Sequence, residues 1–170
     1  MYSVTKNGVN VINTSSYIKL QNINNGVFTI VNMTFAPYGV NYNKFIGDLE
    51  VRYNSTYNKT WVINELYMED YLKGMGEASN SSSYEYLKVM AVLERTYATY
   101  HFLTGTKNSA QYFDVFSTTA DQAYYGYARQ LAQPNVVKAV DETKGIYLTY
   151  DNKIIQAFYS ANAGGKTRTL

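Results

Sequence analysis

The feature that most constrains this chain is residues 84–103, a twenty-residue run without Gly or Pro in a sequence otherwise broken every few residues by Asn, Gly or Ser. Ser82 with Glu85 three positions later makes a capping box in front of it, so the spacing predicts a helix. Its apolar positions Leu87, Met90, Ala91, Ala98 and Phe102, with Val89, Val92, Leu93 and Tyr97 beside them, cover most of the circumference. Such a helix must be largely buried, so the rest of the chain has to wrap it.

Residues 9–11, 17–20, 27–34 and 45–53 are short β-rich runs separated by Asn, Gly and Ser turns. Asp48-Leu49-Glu50-Val51-Arg52-Tyr53 alternates polar and apolar, and Asn54-Ser55-Thr56 turns it toward Trp61-Val62-Ile63, a hairpin pattern. A short helix over 67–73 should stop near Gly74 and Gly76, glycine tolerating the left-handed turn that closes a helix. Beyond Gly105 the chain reads as irregular through Asp121-Gln122-Ala123-Tyr124, and Pro134 then opens a helix over 135–143 that ends at Gly145. Residues 147–150 and 154–160 flank the turn Asp151-Asn152-Lys153 as a second hairpin. The expected fold is therefore α+β, a strand-rich N-terminal part packed on a long buried helix, with a C-terminal β-hairpin. With 170 residues, 46% hydrophobic and 16% charged, the chain fits one domain. Residues 1–60 would form its strand-rich part and 61–170 the remainder.

Composition removes several function classes. Fifteen Lys and Arg against thirteen Asp and Glu are scattered rather than gathered into a stripe, so nucleic acid is not an expected partner. No stretch approaches the roughly 20 apolar residues of a membrane span, and residues 1–7 lack the apolar run of a secretory leader. With no cysteine and His101 as its single histidine, the chain has no disulfide frame, no thiol nucleophile and too few nitrogen and sulfur ligands for a typical zinc site. No metal or other cofactor is expected. Nineteen tyrosines suit sugar rings as well as half-buried strands, and most are read as the latter.

Ser160-Ala161-Asn162-Ala163-Gly164-Gly165-Lys166-Thr167 ends like a phosphate-binding loop, but Ser160 stands where that motif needs glycine and too few residues follow for its helix. It reads instead as a glycine-rich turn that brings backbone N–H groups against a ligand or a strand. His101 reads as a packed or capping residue, and an intrahelical or tertiary ion pair is the expected explanation of both Glu94 and Arg95. Asp114, Asp121 and Asp141 lie in or near loops with no spacing that makes any two converge. Glu77, in Gly74-Met75-Gly76-Glu77-Ala78-Ser79-Asn80, is the strongest acid candidate. A partly desolvated loop carboxyl there could hand a proton to a glycosidic oxygen.

Five blocks in order carry a resemblance. They are Tyr71-Leu72-Lys73-Gly74 with a Glu shortly after, Lys88-Val89-Met90-Ala91-Val92-Leu93-Glu94-Arg95-Thr96-Tyr97-Ala98, and Asp114-Val115 leading to Thr118-Thr119 and Gln122-Ala123-Tyr124. Ala139-Val140-Asp141-Glu142-Thr143-Lys144-Gly145 and Tyr159-Ser160 to Gly164-Gly165-Lys166-Thr167 follow, with Val62-Ile63-Asn64-Glu65-Leu66 upstream. Together they resemble the stage II sporulation protein D and LytB (SpoIID/LytB) family of bacterial cell-wall proteins. The resemblance implies action on peptidoglycan, as a lytic transglycosylase that cuts glycan strands with a single Glu acid/base or as an enhancer of a cell-wall amidase. Carried over, Glu77 would be the catalytic acid/base, with Glu94 a weaker alternative. Arg95, Tyr97, Gln122, Tyr124 and the turn Gly164, Gly165, Lys166 and Thr167 would shape the substrate groove.

This chain departs from the family pattern in three places. The usual Glu falls five residues after the glycine matching Gly74, where Ser79 stands, so Glu77 comes two residues early. Phe116 and Asp121 replace the cysteines with which some members bind zinc, so no zinc is expected. Leu93-Glu94 replaces an alanine pair. The expected function is glycan-strand cleavage, with peptidoglycan strands and a cell-wall amidase as partners and no membrane contact by the domain itself. The alternative is a non-catalytic wall-binding or amidase-enhancing module. A third reading, a surface-layer or adhesive domain, would lack a groove. Action on peptidoglycan implies an extracytoplasmic location and a C-terminally truncated excerpt of a longer exported protein.

Overall fold

The computed structural model describes residues 1–37, 39–105, 107–160, 162 and 164–166. Strands β1 (Tyr2–Lys6) and β2 (Val9–Thr14) form an antiparallel hairpin in which Lys6 pairs with Val9. Its two-residue turn is Asn7-Gly8 with φ +51° and +79°, the left-handed pair that matches strand twist. Next come β3 (Ile18–Leu20), β4 (Phe28–Thr29), β5 (Lys44–Phe45), β6 (Asp48–Asn54) and β7 (Lys59–Glu65). The alternating 48–53 run forms the predicted hairpin: β6 is the centre of an antiparallel sheet of order β3-β6-β7, with Val51 opposite both Ile18 and Val62. The β-rich run 27–34 does not form one strand. Only Phe28 and Thr29 pair, with Phe45 and Lys44, and an irregular path follows.

Helix α1 (Met68–Lys73) ends at Gly74 as expected, but not for the expected reason. Gly74 has φ −93°, which any residue adopts. Its hydrogen is needed because a Cβ would lie 2.5 Å from Tyr124 Cε2 and 3.0 Å from the Gly126 carbonyl oxygen. Helix α2 (Tyr84–Thr104) occupies the predicted span and closes at Gly105 in the left-handed conformation. Ser83 rather than Ser82 is the N-cap residue, and its side chain makes no capping bond; Glu85 pairs with Lys88 at 2.7 Å. Leu87, Met90, Ala91, Tyr97 and Ala98 are buried as expected, whereas Phe102 is 64% exposed because the last turn of α2 outruns the core.

Helix α3 (Tyr127–Ala132), in a stretch for which the sequence suggested no element, precedes α4 (Pro134–Glu142), with Pro134 in the first turn. The predicted C-terminal hairpin is short: β8 (Thr149–Tyr150) pairs with β9 (Lys153–Ile154) across Asp151 and Asn152, both at positive φ. Leu72, Met75, Leu87, Met90, Ala91, Tyr124, Val136, Ala139 and Val140 form the main buried cluster, where α1, α2 and α4 meet. Tyr71, Leu93 and Tyr159 pack against it. No described helix is long and apolar enough to cross a membrane.

Candidate active site

Two glycines let the chain after α1 lie flat against residues 123–125. The Gly76 N–H donates to the Ala123 carbonyl (2.7 Å) and the Tyr125 N–H to the Gly74 carbonyl (2.8 Å), while Met75 and Tyr124 form an isolated antiparallel bridge. A Cβ on Gly76 would strike the Tyr125 ring, so this approach requires glycine. The contact fixes where Glu77 emerges. Glu77 is half-buried, and its Oε1 accepts the Ala123 N–H at 2.6 Å. Beyond it, Arg129 Nη2 donates to the Ala78 carbonyl (3.1 Å). Asn135 donates two bonds to Asn80, its N–H to Asn80 Oδ1 (2.8 Å) and its side-chain amide to the Asn80 carbonyl (3.1 Å). The loop that carries Glu77 is therefore tied to the helix pair behind it. Ser79, at the position where the family's acid usually falls, is exposed and bonds Ser81 Oγ at 2.8 Å.

Gln122 is 0% exposed and joins three parts of the chain. Its Nε2 donates to the Glu94 carbonyl (3.1 Å) and the Tyr159 hydroxyl (3.0 Å), and its Oε1 accepts the Tyr71 hydroxyl (3.1 Å). Burial is the first cause that raises the Tyr71 and Tyr159 hydroxyls above the usual phenol range, and the Glu94 charge adds to it in both. Tyr124 packs its ring, tilted by 30°, with its centroid 5.0 Å from that of Tyr71 and donates its hydroxyl to Asn64 Oδ1 (2.9 Å). Asn64 in turn donates to the Ile46 and Asp48 carbonyls, which ties the site to the central sheet.

Arg95 forms a tertiary ion pair, one of the two arrangements expected for it, whereas Glu94 has no ion pair among the described residues. Arg95 is 0% exposed and grips Glu69 on α1 with two bonds, Nε to Oε1 (2.9 Å) and Nη2 to Oε2 (2.7 Å). Its other contacts are the carbonyls of Ala91, Val140 and Ile146 and the Thr143 hydroxyl. Arg95 thus fastens α1, α2 and the end of α4 together beneath the site, with its donors already engaged. Glu94 is 2% exposed. Burial, with the nearby Glu77 carboxylate adding to it and Arg95 opposing, pushes the Glu94 carboxyl well above the usual carboxylate range.

Tyr97 is also buried. Its hydroxyl donates to Asp121 Oδ1 (3.0 Å), which also receives the Lys107 ammonium, while Asp121 Oδ2 accepts the Asn108 amide (3.1 Å) and the Phe116 N–H (2.8 Å). Burial works against the charge on Asp121, yet these four donors outweigh it and hold its carboxyl below the usual range. Phe116 packs against Phe113 and Trp61. His101 is packed, as expected, with its ring centroid 4.5 Å from that of Tyr97 and 5.5 Å from that of Tyr100. Among the described residues no group of three or more His, Asp or Glu is arranged to hold a metal ion.

The glycine-rich turn lies at the surface. Gly164, Gly165 and Lys166 are exposed, with φ +59° and +81° at the glycines, and the Gly164 N–H bonds Asn162 Oδ1 at 2.7 Å. A Cβ at either glycine would meet nothing within 4 Å, so no close approach explains them; Thr167 lies outside the described residues. The fold thus brings together Glu77, Glu94, Gln122 and Tyr124, with Arg95 below them and Tyr97 one turn along. Tyr71, Tyr159, Asn64 and the Asn80–Asn135 clasp complete this network and were not singled out by the sequence reading. Tyr71 and Tyr159 occur in the resemblance blocks, but nothing local separates them from the other tyrosines.

The family model described as stage II sporulation protein (SpoIID) matches residues 56–150, more than half of the chain. The chain belongs to the SpoIID family. The matched segment spans β7 through β8 and contains Glu77, Glu94, Arg95, Tyr97, Gln122 and Tyr124, but not Tyr159 or the glycine turn. Over 114 residues this SpoIID domain is 41% identical to an uncharacterised protein of Brachyspira hyodysenteriae, an alignment that covers 65% of this chain and 30% of that protein. Over 98 residues it is 40% identical to the amidase enhancer of Bacillus subtilis, with 56% and 12% covered. The chain therefore spans less than a third of either relative.

Proposed function

We propose that this SpoIID domain acts extracytoplasmically on the bacterial cell wall, cleaving peptidoglycan glycan strands by a lytic transglycosylase mechanism with Glu77 as acid/base. The observation that carries the reading is the setting of Glu77. Its carboxyl is half-buried, anchored through Oε1 to one backbone N–H and without a hydrogen bond at Oε2 among the described residues, beside the Gln122 and tyrosine network. A carboxyl so placed is rigid enough to be aimed and open enough to reach a ligand.

The chemistry needs one acid. Protonated Glu77 gives its proton to the glycosidic oxygen as the bond from that oxygen to the anomeric carbon breaks. The resulting carboxylate takes the proton of the sugar's own 6-hydroxyl as that oxygen bonds the anomeric carbon and closes an anhydro ring. The proton lost in the first half is regained in the second, and no water is consumed. A second nucleophilic carboxylate, as in hydrolytic glycosidases, is not required.

Ser79 at the family's usual acid position favours a second reading, a non-catalytic wall-binding module that enhances a cell-wall amidase. The similarity to a protein named amidase enhancer favours it too. Mass spectrometry of products from purified glycan strands separates the two. Anhydro-muramyl ends formed by the wild type and abolished in Glu77→Gln support the enzyme. Strand binding without cleavage by either, with amidase stimulation, supports the enhancer.

A further inference from the structure

Arg52 projects from β6 on the face of the central sheet that it shares with Trp61, its partner on β7. Side chains alternate along a strand, so Asn64, which meets Tyr124 of the candidate site, points to the other face. The Arg52 guanidinium is clamped between two tyrosine rings, its carbon 4.2 Å from the centroid of Tyr17 and 4.2 Å from that of Tyr112. Both tyrosines are close to half exposed, at 43% and 46%. Tyr112 has φ +76°, a left-handed conformation that is costly for a bulky side chain. The turn that carries it is fastened to the sheet, because buried Asn54 donates its amide to the Ala110 carbonyl (2.7 Å). The fold thus keeps an aromatic ring where glycine would sit without strain. The Arg52 side chain is 30% exposed, and Glu50 on the same face has its Oε1 3.1 Å from Nη1, but without the alignment of a hydrogen bond. Among the described residues no hydrogen bond from Nε or Nη2 is found. The rings therefore fix the plane of the guanidinium and leave the Nε–Nη2 edge, the fork that takes a carboxylate with two parallel bonds, without a partner.

We propose that Tyr17, Arg52 and Tyr112 form a second, non-catalytic binding site for an acidic amino sugar of the glycan strand. The lactyl carboxylate of a muramyl residue takes the Arg52 fork, and a pyranose ring lies on an exposed tyrosine face. The choice of a wall glycan as ligand rests on the cell-wall reading above; the site itself rests on the clamped guanidinium and its two rings. A pyranose presents a flat set of C–H groups to an aromatic face, and the phenol hydroxyl at the ring's edge can bond the sugar's polar rim. The cation between the rings selects an acidic sugar over a neutral one. Glu50 competes with the incoming carboxylate for the same guanidinium, so the site holds a strand reversibly. A strand tethered here stays at high local concentration for the Glu77 site on the same domain, a gain of avidity rather than of chemistry.

The test is an NMR titration of the isotope-labelled Glu77→Gln domain, in which strands stay uncut. The probes are glycan strands stripped of stem peptides and chitin oligosaccharides, which share the amino-sugar backbone but lack the lactyl acid. The stripped strands are expected to shift the Arg52 Nε–H signal and the Tyr17 and Tyr112 amides, and to bind there about tenfold more tightly than the chitin oligosaccharides. Arg52→Lys, which keeps the charge but not the fork, should lose that preference. Tyr112→Gly, which relieves the positive φ, should keep the folded spectrum and lose the binding. Glu50→Gln removes the competing carboxylate and should tighten binding several-fold, an effect that a stack serving only to brace the 109–112 turn would not produce. No shift at these three residues, equal binding of both saccharides, or binding that Glu50→Gln leaves unchanged or weakens would overturn the proposal. The titration needs no product, so a wild type that forms no anhydro-muramyl ends refutes the catalytic reading of Glu77 while the shifts at Arg52 still decide this site.

Discussion

Replacement of Glu69 by Gln probes what holds the site together. The mutation removes one charge of the Arg95–Glu69 pair and keeps the shape, leaving an arginine side chain that is 0% exposed without a counter-ion. Removal of one partner from a buried pair costs about 3–5 kcal/mol. Two features favour the lower end: Glu69 is 18% exposed, and Arg95 keeps the Ala91, Val140 and Ile146 carbonyls and the Thr143 hydroxyl. A loss of about 3 kcal/mol in a domain of this length lowers Tm by roughly 6–12 °C. The control is Glu85→Gln, which breaks the Glu85–Lys88 pair at a glutamate side chain that is 81% exposed and should cost no more than about 0.5 kcal/mol. Urea unfolding of the wild type and both variants measures the difference. Equal losses for Glu69→Gln and Glu85→Gln would refute the view that Arg95 fastens α1, α2 and α4 beneath the site.

Gly74→Ala should destabilise by about 1–3 kcal/mol through overpacking against Tyr124 and the Gly126 carbonyl, and it should weaken glycan-strand binding because the same contact places Glu77; a variant of unchanged Tm and affinity contradicts that. Asp121 has a carboxyl pKa lowered in the fold, so the stability it adds is present above its unfolded value near 3.8 and is lost as pH falls through the lower folded value. Asp121→Asn should therefore flatten the acid limb of a Tm-versus-pH curve, and an unchanged limb would remove Asp121 as its source. Glu94 runs the other way. Its raised folded value means that protonation favours the fold, so its contribution is full below the unfolded value near 4.5 and is lost as pH rises toward the folded one. Glu94→Gln should then exceed the wild type in Tm at pH 7 and lose that advantage near pH 4, and a constant difference across pH would contradict the assignment.

The elements whose signals are local were legible in the sequence. Residues 84–103 lack breakers, Pro134 opens α4, and the alternating 48–53 run with its Asn-Ser-Thr turn forms β6 and β7. The β1–β2 hairpin carried an equally local mark, Asn7-Gly8, that the reading of the N-terminus for a leader passed over. The errors concern long-range contacts. The run 27–34 has strand-forming residues, yet only Phe28 and Thr29 pair as a strand, with Ile30 adding one bond to the Asn43 carbonyl, and β-propensity without a longer neighbouring strand has little force. Helix α3 begins at Gly126, held at φ +74° against the Lys44 carbonyl far upstream, which no local pattern announces. Arg95 was expected in an intrahelical or tertiary ion pair, but its bidentate partner Glu69 lies 26 positions away and no local pattern names it. In the candidate site, Glu77 could be named from its glycine-flanked loop. The anchoring Ala123 N–H and the buried state of Glu94 follow only from the packing of α1, α2 and residues 122–124.

The central claim is that Glu77 drives transglycosylation rather than hydrolysis or binding alone. Digestion of glycan strands in water enriched in oxygen-18, read by mass spectrometry for wild type and Glu77→Gln, tests it most directly. The account predicts anhydro-muramyl products without the heavy oxygen from the wild type and none from the variant. Products that carry oxygen-18, or cleavage that survives in Glu77→Gln, would contradict it.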